Sequence, residues 1–306
     1  MADTIRSAPP PPPRAAEIST LSFALIVSVP VLLFLIVVVA YPLAYAFYLS
    51  FHEIRFFGGY SATWNGIANY SKVLTDQSFW SSLGRTLRFT VETVILTLLV
   101  GLGLALILKH LPGKWRWLRA LIILPWAVSP YGAGIFFTYL GRGQTGIGTA
   151  VAGWLGSDHT VNLIAARFVV EYLAVGAAWN MAPLVAFFLL ANMLTTPQRL
   201  YDLAKIDQMS RLETFWHVTL PPLRFTLFVF SCITTVLAMK TFDYIFTATQ
   251  GGPGGASAVL TYTLYKISFV NLDLGYGAAM SFFLLAVILG ATGLLYLLWG
   301  RKEERQ

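Results

Sequence analysis

The chain has 306 residues, of which 57% are hydrophobic and only 11% are charged, and its mean hydropathy is +0.67. Soluble domains carry about 25% charged residues, so the composition excludes an ordinary soluble fold and indicates that lipid surrounds most of the chain. The net charge of +7 does not indicate nucleic-acid binding, because the cations are scattered between apolar segments. A single cysteine and four widely spaced histidines predict neither a disulfide nor a metal site.

Hydrophobic segments divide the chain into spans. The proline-rich stretch 1–17 predicts a disordered tail, and 301–306 is a short charged tail. Between them lie six segments that reach the roughly 20 residues a helix needs to cross the hydrocarbon core. We therefore predict an all-α membrane protein with a transmembrane domain at 18–300 and six transmembrane helices, at about 18–51, 86–109, 120–141, 162–195, 225–249 and 274–300.

The distribution of Lys and Arg predicts the orientation. With six spans, both tails, the turn at 109–119 and the segment 196–224 lie on one side, and they hold 13 of the 21 cations. Positively charged loops stay in the cytoplasm, so we predict that both termini and the segment 196–224 are cytoplasmic.

Motifs for nucleotide chemistry are absent or misplaced. The GRGQTG stretch at 141–146 matches GxGxxG, but it follows a predicted span instead of a strand. No GxxxxGK[ST] motif occurs, so the chain does not cradle ATP itself, and no nucleophile or carboxylate constellation is evident. We predict a protein that is not an enzyme, has no bound cofactor of its own and receives its energy from a partner.

The insert, residues 196–224, interrupts the apolar pattern between the fourth and fifth predicted spans. Apolar residues at helical spacing predict two short amphipathic helices with a break at Gln208-Met209, and Pro221-Pro222 is expected to end the second helix. Such helices can lie on the membrane surface or serve as a docking element for a soluble protein.

The insert resembles the EAA loop of ABC-importer permeases, the inner-membrane subunits of bacterial binding-protein-dependent uptake systems. The resemblance is carried by YDLA at 201–204, by Asp207 and Phe215, and by the Leu-Pro pair at 220–221. Three other stretches agree with the carbohydrate-uptake branch, which includes maltose and glycerol-phosphate permeases: WNGIANY at 64–70, AAWNMAPLVAFF at 177–188 and TATQGGPGG at 247–255.

The resemblance implies a multi-pass inner-membrane subunit whose insert carries a coupling helix. Its partners would be a second homologous permease, a dimer of ATPase subunits that binds ATP and Mg, an extracytoplasmic solute-binding protein, membrane lipid and a sugar cargo. The residues expected to couple to the ATPase are Leu200, Tyr201, Asp202, Leu203, Ala204, Asp207, Gln208 and Met209.

One departure from the family pattern concerns the break in the insert. The family has an Asp-Gly-Ala turn where this chain has Asp207-Gln208-Met209. Glycine adopts positive φ freely, whereas Gln there costs on the order of 1 kcal/mol. The turn is therefore either strained or built with ordinary backbone angles.

Candidate residues for the substrate pathway lie in the fourth and fifth spans. Polar residues before the GGP turn contribute to the sugar site in the resembling family, and the match WNMAP implies a similar position for two residues of the fourth span. The candidates are Trp179, Asn180, Lys240, Thr241, Asp243 and Tyr244. Trp179 is alternatively a residue of interhelical packing.

Lys240 and Asp243 allow two interpretations. Three residues apart on one helix they could neutralise each other as a structural pair, but ionisable groups inside a span are also functional candidates. A cation in the passage would favour an anionic sugar derivative, although Asp243 offers it a partner. The alternatives for the whole chain are a permease of this family with a non-sugar cargo, an ion-coupled secondary transporter, for which we find no inverted repeat, and an integral-membrane enzyme.

Overall fold

The computed structural model describes residues 19–56, 59–115, 117–157, 159–165 and 167–300, so the predicted tails at 1–17 and 301–306 lie outside the described residues. The described chain is mostly helical, which confirms the predicted helical membrane class. Within it, five helical stretches are long and apolar enough to cross a membrane: Phe23–Leu49, Gln77–Lys109, Val169–Thr195, Arg211–Met239 and Leu274–Gly300.

Contacts divide the chain into two compact units, of which the first ends at residue 48. Its described part is one helical stretch made of α1 (Thr20–Phe34), a π turn (Leu35–Ala40) and α2 (Tyr41–Leu49). Pro42 has no N–H with which to continue an α-helix. In the π turn before it the Tyr41 N–H bonds to the Ile36 carbonyl, five residues back, so the helix continues through the proline.

The second unit begins with a β-hairpin that the sequence analysis did not predict. Strands β1 (His52–Arg55) and β2 (Ser61–Trp64) are antiparallel, with His52 opposite Trp64. Helix α3 (Ala68–Thr75) follows, and Asn69 donates hydrogen bonds to the Ser50 and His52 carbonyls. These bonds fix the hairpin to the start of the helical bundle.

Helix α4 (Gln77–Lys109) is the central element of this unit and begins nine residues before the predicted span at 86. Asp76 caps it by accepting a hydrogen bond from the Ser78 N–H. The helix packs along much of α9 (Val169–Thr195), and their close approach depends on Gly101, where an added Cβ would lie 2.9 Å from Val185. Residues of α4 take part in all three apolar clusters of the described chain.

The predicted third span, 120–141, is broken instead of forming one helix. It consists of α5 (Leu118–Ile122), α6 (Leu124–Ala127) and α7 (Pro130–Gly141), with Val128 and Ser129 in extended conformation. Pro130 disfavours helical angles at the residue before it, and the Ser129 side chain caps α7 by accepting from the Gly132 N–H. The prediction of a single continuous helix here is therefore wrong.

The insert and the predicted fifth span also differ from expectation. Helix α10 (Gln198–Ile206) is followed by α11 (Arg211–Thr214), a π turn (Phe215–Thr219) and α12 (Leu220–Met239), and the last three are continuous. Pro221-Pro222 therefore does not end the second helix, because the π turn precedes the prolines and bonds the Leu220 N–H to the Phe215 carbonyl. The span ends at Lys240, and 243–248 forms a separate helix, α13 (Asp243–Ala248).

The remaining helices complete the second unit. They are α8 (Ile147–Trp154), α14 (Leu260–Tyr265) with a π turn at Lys266–Val270, and α15 (Leu274–Leu295) with a π turn at Tyr296–Gly300. Helix α15 packs against α3 and α12, and α7 packs against α13. This arrangement places α6, α7 and α13 beside α9, and α12 beside both α9 and α4.

Candidate functional site

The insert is held to the bundle by two of the residues predicted to couple to an ATPase. Ala204 of α10 is 3% exposed. Tyr201 is half-buried, its ring lies 3.7 Å from the Lys109 ammonium at the end of α4, and its hydroxyl lies 3.4 Å from Thr219 Oγ1. Helix α10 therefore contacts both α4 and the helix that begins at Arg211.

The other coupling candidates form an exposed surface. Leu200 and Leu203 are each 44% exposed, and Asp202, Asp207, Gln208 and Met209 are exposed as well. Asp202 pairs with Lys205 at 3.2 Å, an exposed contact that contributes little to stability. The exposed leucines lie beside the buried Ala204 on α10 and leave apolar surface available for contact.

The turn at Gln208 adopts the left-handed conformation. Gln208 has φ = 55°, and the Met209 N–H bonds back to the Ala204 carbonyl at 2.9 Å. Directly after it, Ser210 and Glu213 form a capping box in which the Ser210 N–H donates to Glu213 Oε2 at 2.7 Å. The sequence left open whether this turn is strained or has ordinary backbone angles. The positive φ of Gln208 shows that it is the strained turn.

Five of the six pathway candidates line one cavity, which we call the central cavity. It has a volume of about 500 Å³ and lies between α4, α6, α7, α9 and the junction of α12 with α13. Hydroxyl, amide and charged groups reach it beside aromatic side chains; the predicted residues among them are Asn180, Lys240, Thr241, Asp243 and Tyr244. The sequence prediction missed Thr93, Trp126 and Ser129, which also line it.

Trp179 does not line the central cavity. Its indole stacks on the Phe136 ring with centroids 5.6 Å apart and an interplanar angle of 27°, and it lies at the same distance from the Phe137 ring. Trp179 therefore packs α9 against α7, which agrees with the interhelical-packing alternative.

Lys240 and Asp243 do not share a helix. Lys240 caps the C-terminus of α12, Asp243 begins α13, and the two residues between them are not helical. Among the described residues neither side chain has an ion-pair partner within 4 Å. The hypothesis of an i,i+3 pair is therefore wrong, because the break turns both charged groups toward the central cavity, where they are exposed.

Asn180 closes the break in the third predicted span. Its Nδ2 atom donates to the Pro125 carbonyl at 2.7 Å and to the Val128 carbonyl at 2.9 Å, and its side chain is buried. The Pro125 carbonyl also accepts from the Val128 N–H at 3.2 Å, whereas Val128 lies beyond the end of α6 in extended conformation, so its carbonyl has no helical partner. One amide group of α9 therefore satisfies the open backbone that forms one wall of the cavity.

Tyr244 presents its ring to the central cavity and buries its hydroxyl. The residue is 3% exposed, and its Oη atom has no hydrogen-bond partner in the described chain. Gly176 of α9 makes room for that hydroxyl, since an added Cβ would overlap it. Tyr244 thus fixes α13 against α9 through close packing.

A charged cluster that the sequence did not indicate joins two of the long helices. Arg88 of α4 donates to Glu92 at 2.9 Å and also to Glu171 of α9. Its charge is therefore matched by two carboxylates, and the cluster links α4 to the start of α9. The spacing of Arg88 and Glu92 could have indicated the first contact, but nothing local could have indicated the second.

A multi-pass helical bundle that surrounds a polar cavity and exposes a helical insert has the architecture of a transport permease. Two curated relatives cover most of the chain. The trehalose/maltose transport system permease protein MalF of Thermococcus litoralis is 32% identical over 287 residues, or 89% of this chain and 91% of the relative. The sulfoquinovosyl glycerol transport system permease protein SmoG of Agrobacterium fabrum is 29% identical over 270 residues, or 88% and 87%.

Solved structures share the fold. A bacterial ABC transporter involved in the import of the acidic polysaccharide alginate contains a chain with a TM-score of 0.77 and 17% identity, which covers 93% of this chain and 95% of its own. The same comparison with a complex that includes alginate pentasaccharide-bound periplasmic protein has a TM-score of 0.76 and 18% identity, with coverage of 92% and 95%. No protein-family model matches the chain.

The chain therefore belongs to the sugar ABC transporter permeases, a family of multi-pass inner-membrane proteins. The chain is a transport subunit.

Proposed function

We propose that the chain is the membrane subunit of an ATP-driven importer for a sugar or sugar derivative that an extracytoplasmic binding protein delivers. The central cavity is the observation that carries the proposal. Its volume of about 500 Å³ is in the range of small-molecule sites. Hydroxyl and amide groups next to Trp126 and Phe242 suit a polyhydroxylated ligand, whose OH groups form hydrogen bonds while its CH faces lie against the rings.

The cargo of the relatives supports the carbohydrate assignment. MalF belongs to a trehalose/maltose transport system and SmoG to a sulfoquinovosyl glycerol transport system. The fold neighbour with alginate pentasaccharide-bound periplasmic protein supports delivery by a binding protein. Within this proposal Lys240, Thr241 and Asp243 contact the cargo as it passes the junction of α12 and α13.

The insert is proposed to receive the motion of a partner ATPase. The chain has no phosphate-binding motif of its own, so ATP and Mg would be bound by two ATPase subunits, paired with this chain and a second homologous permease. The exposed face of α10, with Leu200, Leu203 and Asp202, would dock on the ATPase. Tyr201 and Ala204 would pass the movement on as rigid-body motion.

We further propose six spans with both termini in the cytoplasm, in which α5–α7 is the third crossing. Backbone that is not helical is tolerated at membrane depth only where it is buried in protein or lines a cavity. The break at Val128 and Ser129 meets the second condition, because it lines the central cavity, and the Pro125 and Val128 carbonyls accept hydrogen bonds from Asn180.

The test is the ATPase activity of the complete complex in lipid nanodiscs, with binding protein and a panel of sugars. We expect one sugar to stimulate hydrolysis, and Leu203→Glu to abolish that stimulation by disrupting docking on the ATPase. Leu212→Glu is the control, because Leu212 is also exposed but lies in α11, outside α10. Uptake driven by an ion gradient without ATP would contradict the proposal and support a secondary transporter.

A further inference from the structure

A second cavity lies at the beginning of α4, beside the glycine-rich loop 249–259 that joins α13 to α14. We call it the loop cavity. Its volume is about 430 Å³. The polar and aromatic groups that matter for its chemistry are Arg85, Gln250, Tyr262, Thr263, Lys266 and Asn271.

The loop cavity has a positive charge that no carboxylate on its wall balances. Arg85 and Lys266 are its two charged residues, and in the described chain neither has an ion-pair partner within 4 Å. Two nearby acids are engaged elsewhere: Asp76 accepts from the Ser78 N–H and the Tyr276 hydroxyl, and Asp273 accepts from Lys72 at 2.8 Å. An anion in the cavity would therefore meet two cations without competition.

Arg85 is oriented by the loop. Its Nε atom donates to the Ala258 carbonyl at 2.9 Å, and its Nη atoms have no hydrogen-bond partner within the described residues. Holding a guanidinium through Nε leaves one edge available for two parallel hydrogen bonds to a carboxylate, phosphate or sulfonate. Lys266 is exposed and adds a second positive charge.

Close contacts and hydrogen bonds hold the part of the loop cavity that carries Tyr262. Gly251, at φ = 74°, lies under the Tyr262 ring, and an added Cβ would be 2.5 Å from the ring carbon Cε1. Ser257 closes the loop by bonding to Thr249 Oγ1 and to the Gly252 carbonyl, both at 2.7 Å. An aromatic face is thus fixed beside the amides of Gln250 and Asn271.

The position of the cavity along α4 relates it to the path of the cargo. Arg85 lies eight residues before Thr93, which lines the central cavity, a rise of about 12 Å along a helix. It lies 24 residues before Lys109, which contacts the insert, or about 36 Å. The loop cavity is therefore at the end of α4 opposite the insert, where an importer receives its cargo.

We propose that the loop cavity is an entry site for an anionic sugar, in which Arg85 and Lys266 bind the acidic group and Tyr262, Gln250 and Asn271 bind the sugar ring. This inference rests on the proposed function and narrows its cargo to carbohydrates that carry a carboxylate, phosphate or sulfonate. The cargo would bind here after release from the binding protein and before it reaches Lys240.

The experiment measures equilibrium binding of radiolabelled D-glucuronate, D-glucose 6-phosphate and D-glucose to the complete complex in nanodiscs, without binding protein and with Lys240→Ala as the common background. We expect the two anionic sugars to bind more tightly than glucose. Lys266→Gln should weaken their binding by about tenfold, the loss expected for one charge-assisted hydrogen bond, and Arg85→Gln should weaken it by more, because Arg85 can form two. Both variants should leave the binding of glucose unchanged.

Arg142→Gln is the matched control, because Arg142 is exposed, has no ion-pair partner within 4 Å among the described residues and does not line the loop cavity. Equal binding of all three sugars to the Lys240→Ala complex, or equal losses for glucose and the anions in Arg85→Gln, would overturn the entry site. If Arg85→Gln left all sugar binding intact but weakened association of the loaded binding protein, the surface would be a protein-docking site. Sugar-stimulated ATP hydrolysis that survives these negative results would leave the proposed function standing.

Discussion

The Lys109 ammonium lies 3.7 Å from the centre of the Tyr201 ring, so the last residue of α4 contacts the helix of the insert. The Tyr201 hydroxyl is also 3.4 Å from Thr219 Oγ1 in the helix that continues into α12. The same two helices, α4 and α12, supply walls of the central cavity through Thr93 and Thr234. Tyr201 therefore contacts both of the helices that supply these walls.

Replacement of Tyr201 by leucine should uncouple ATP hydrolysis from uptake. The substitution removes a cation–π contact worth about 0.5–2 kcal/mol and leaves Lys109 without its aromatic partner. We expect sugar uptake per ATP hydrolysed to fall severalfold in proteoliposomes that contain the complete complex. Tyr201→Phe is the control, since it keeps the ring and loses only the long contact to Thr219; equal uptake in the leucine and phenylalanine variants would contradict the proposed role.

Replacement of Gln208 by glycine should stabilise the insert. Gln208 has φ = 55°, a conformation that costs a residue with a Cβ about 1–2 kcal/mol and glycine almost nothing. We expect a higher midpoint of thermal unfolding for Gln208→Gly, measured on the purified chain in detergent. The neighbouring Met209→Gly should have the opposite effect, because φ at Met209 is not positive and glycine increases the entropy of the unfolded chain.

Hydropathy predicted the long helices because a helix that crosses lipid needs an uninterrupted apolar sequence. The C-terminal ends of two of them, Val169–Thr195 and Leu274–Gly300, agree with the predicted bounds. Proline was interpreted less well. Pro221-Pro222 was expected to end a helix and Pro125 to lie within one, yet the structure has a continuous helix at the first site and a break after the second. The outcome depends on a preceding π turn and on hydrogen bonds from another helix, neither of which local sequence reports.

The candidate site, like the fold, was predicted only in part. Five pathway candidates line the central cavity, because polar residues in an apolar segment avoid lipid wherever they occur. The relation between Lys240 and Asp243 was wrong because it assumed one continuous helix. The loop cavity was missed altogether, since Arg85 and Lys266 are 181 positions apart in the chain and meet only through tertiary packing.

Replacement of Gly134 by alanine should loosen the packing of α7 against α13. A Cβ at this position would overlap Thr247 Oγ1 and lie 2.8 Å from the Tyr244 carbonyl oxygen, so backbone must move. Overpacking of this kind costs about 1–3 kcal/mol, and we expect a lower midpoint of thermal unfolding. Gly103→Ala in α4 is the matched control, because an added Cβ there has nothing within 4 Å and alanine favours the helix; a similar loss in both variants would refute the explanation.

Replacement of Asn180 by leucine tests whether the broken helix depends on one amide. The Val128 carbonyl would lose its donor at the wall of the central cavity, and the Pro125 carbonyl would keep only the bond from the Val128 N–H. A polar group left without a partner costs about 1–3 kcal/mol. We expect a lower midpoint of thermal unfolding together with loss of sugar-stimulated ATP hydrolysis, because the displaced break changes the shape of the cavity. Stability and stimulation should fall together.

Asn192→Leu is the control, because it tests whether the loss of another interhelical amide of α9 has the same effect as Asn180→Leu. Asn192 also lies in α9 and donates to the Pro222 carbonyl at 3.2 Å and to Thr226 Oγ1 at 2.8 Å, but it does not line the central cavity. Its replacement should lower stability with little effect on sugar stimulation. If the two variants lost stimulation equally, general packing of α9 would explain the result, and the break at Val128 would have no particular part in binding the cargo.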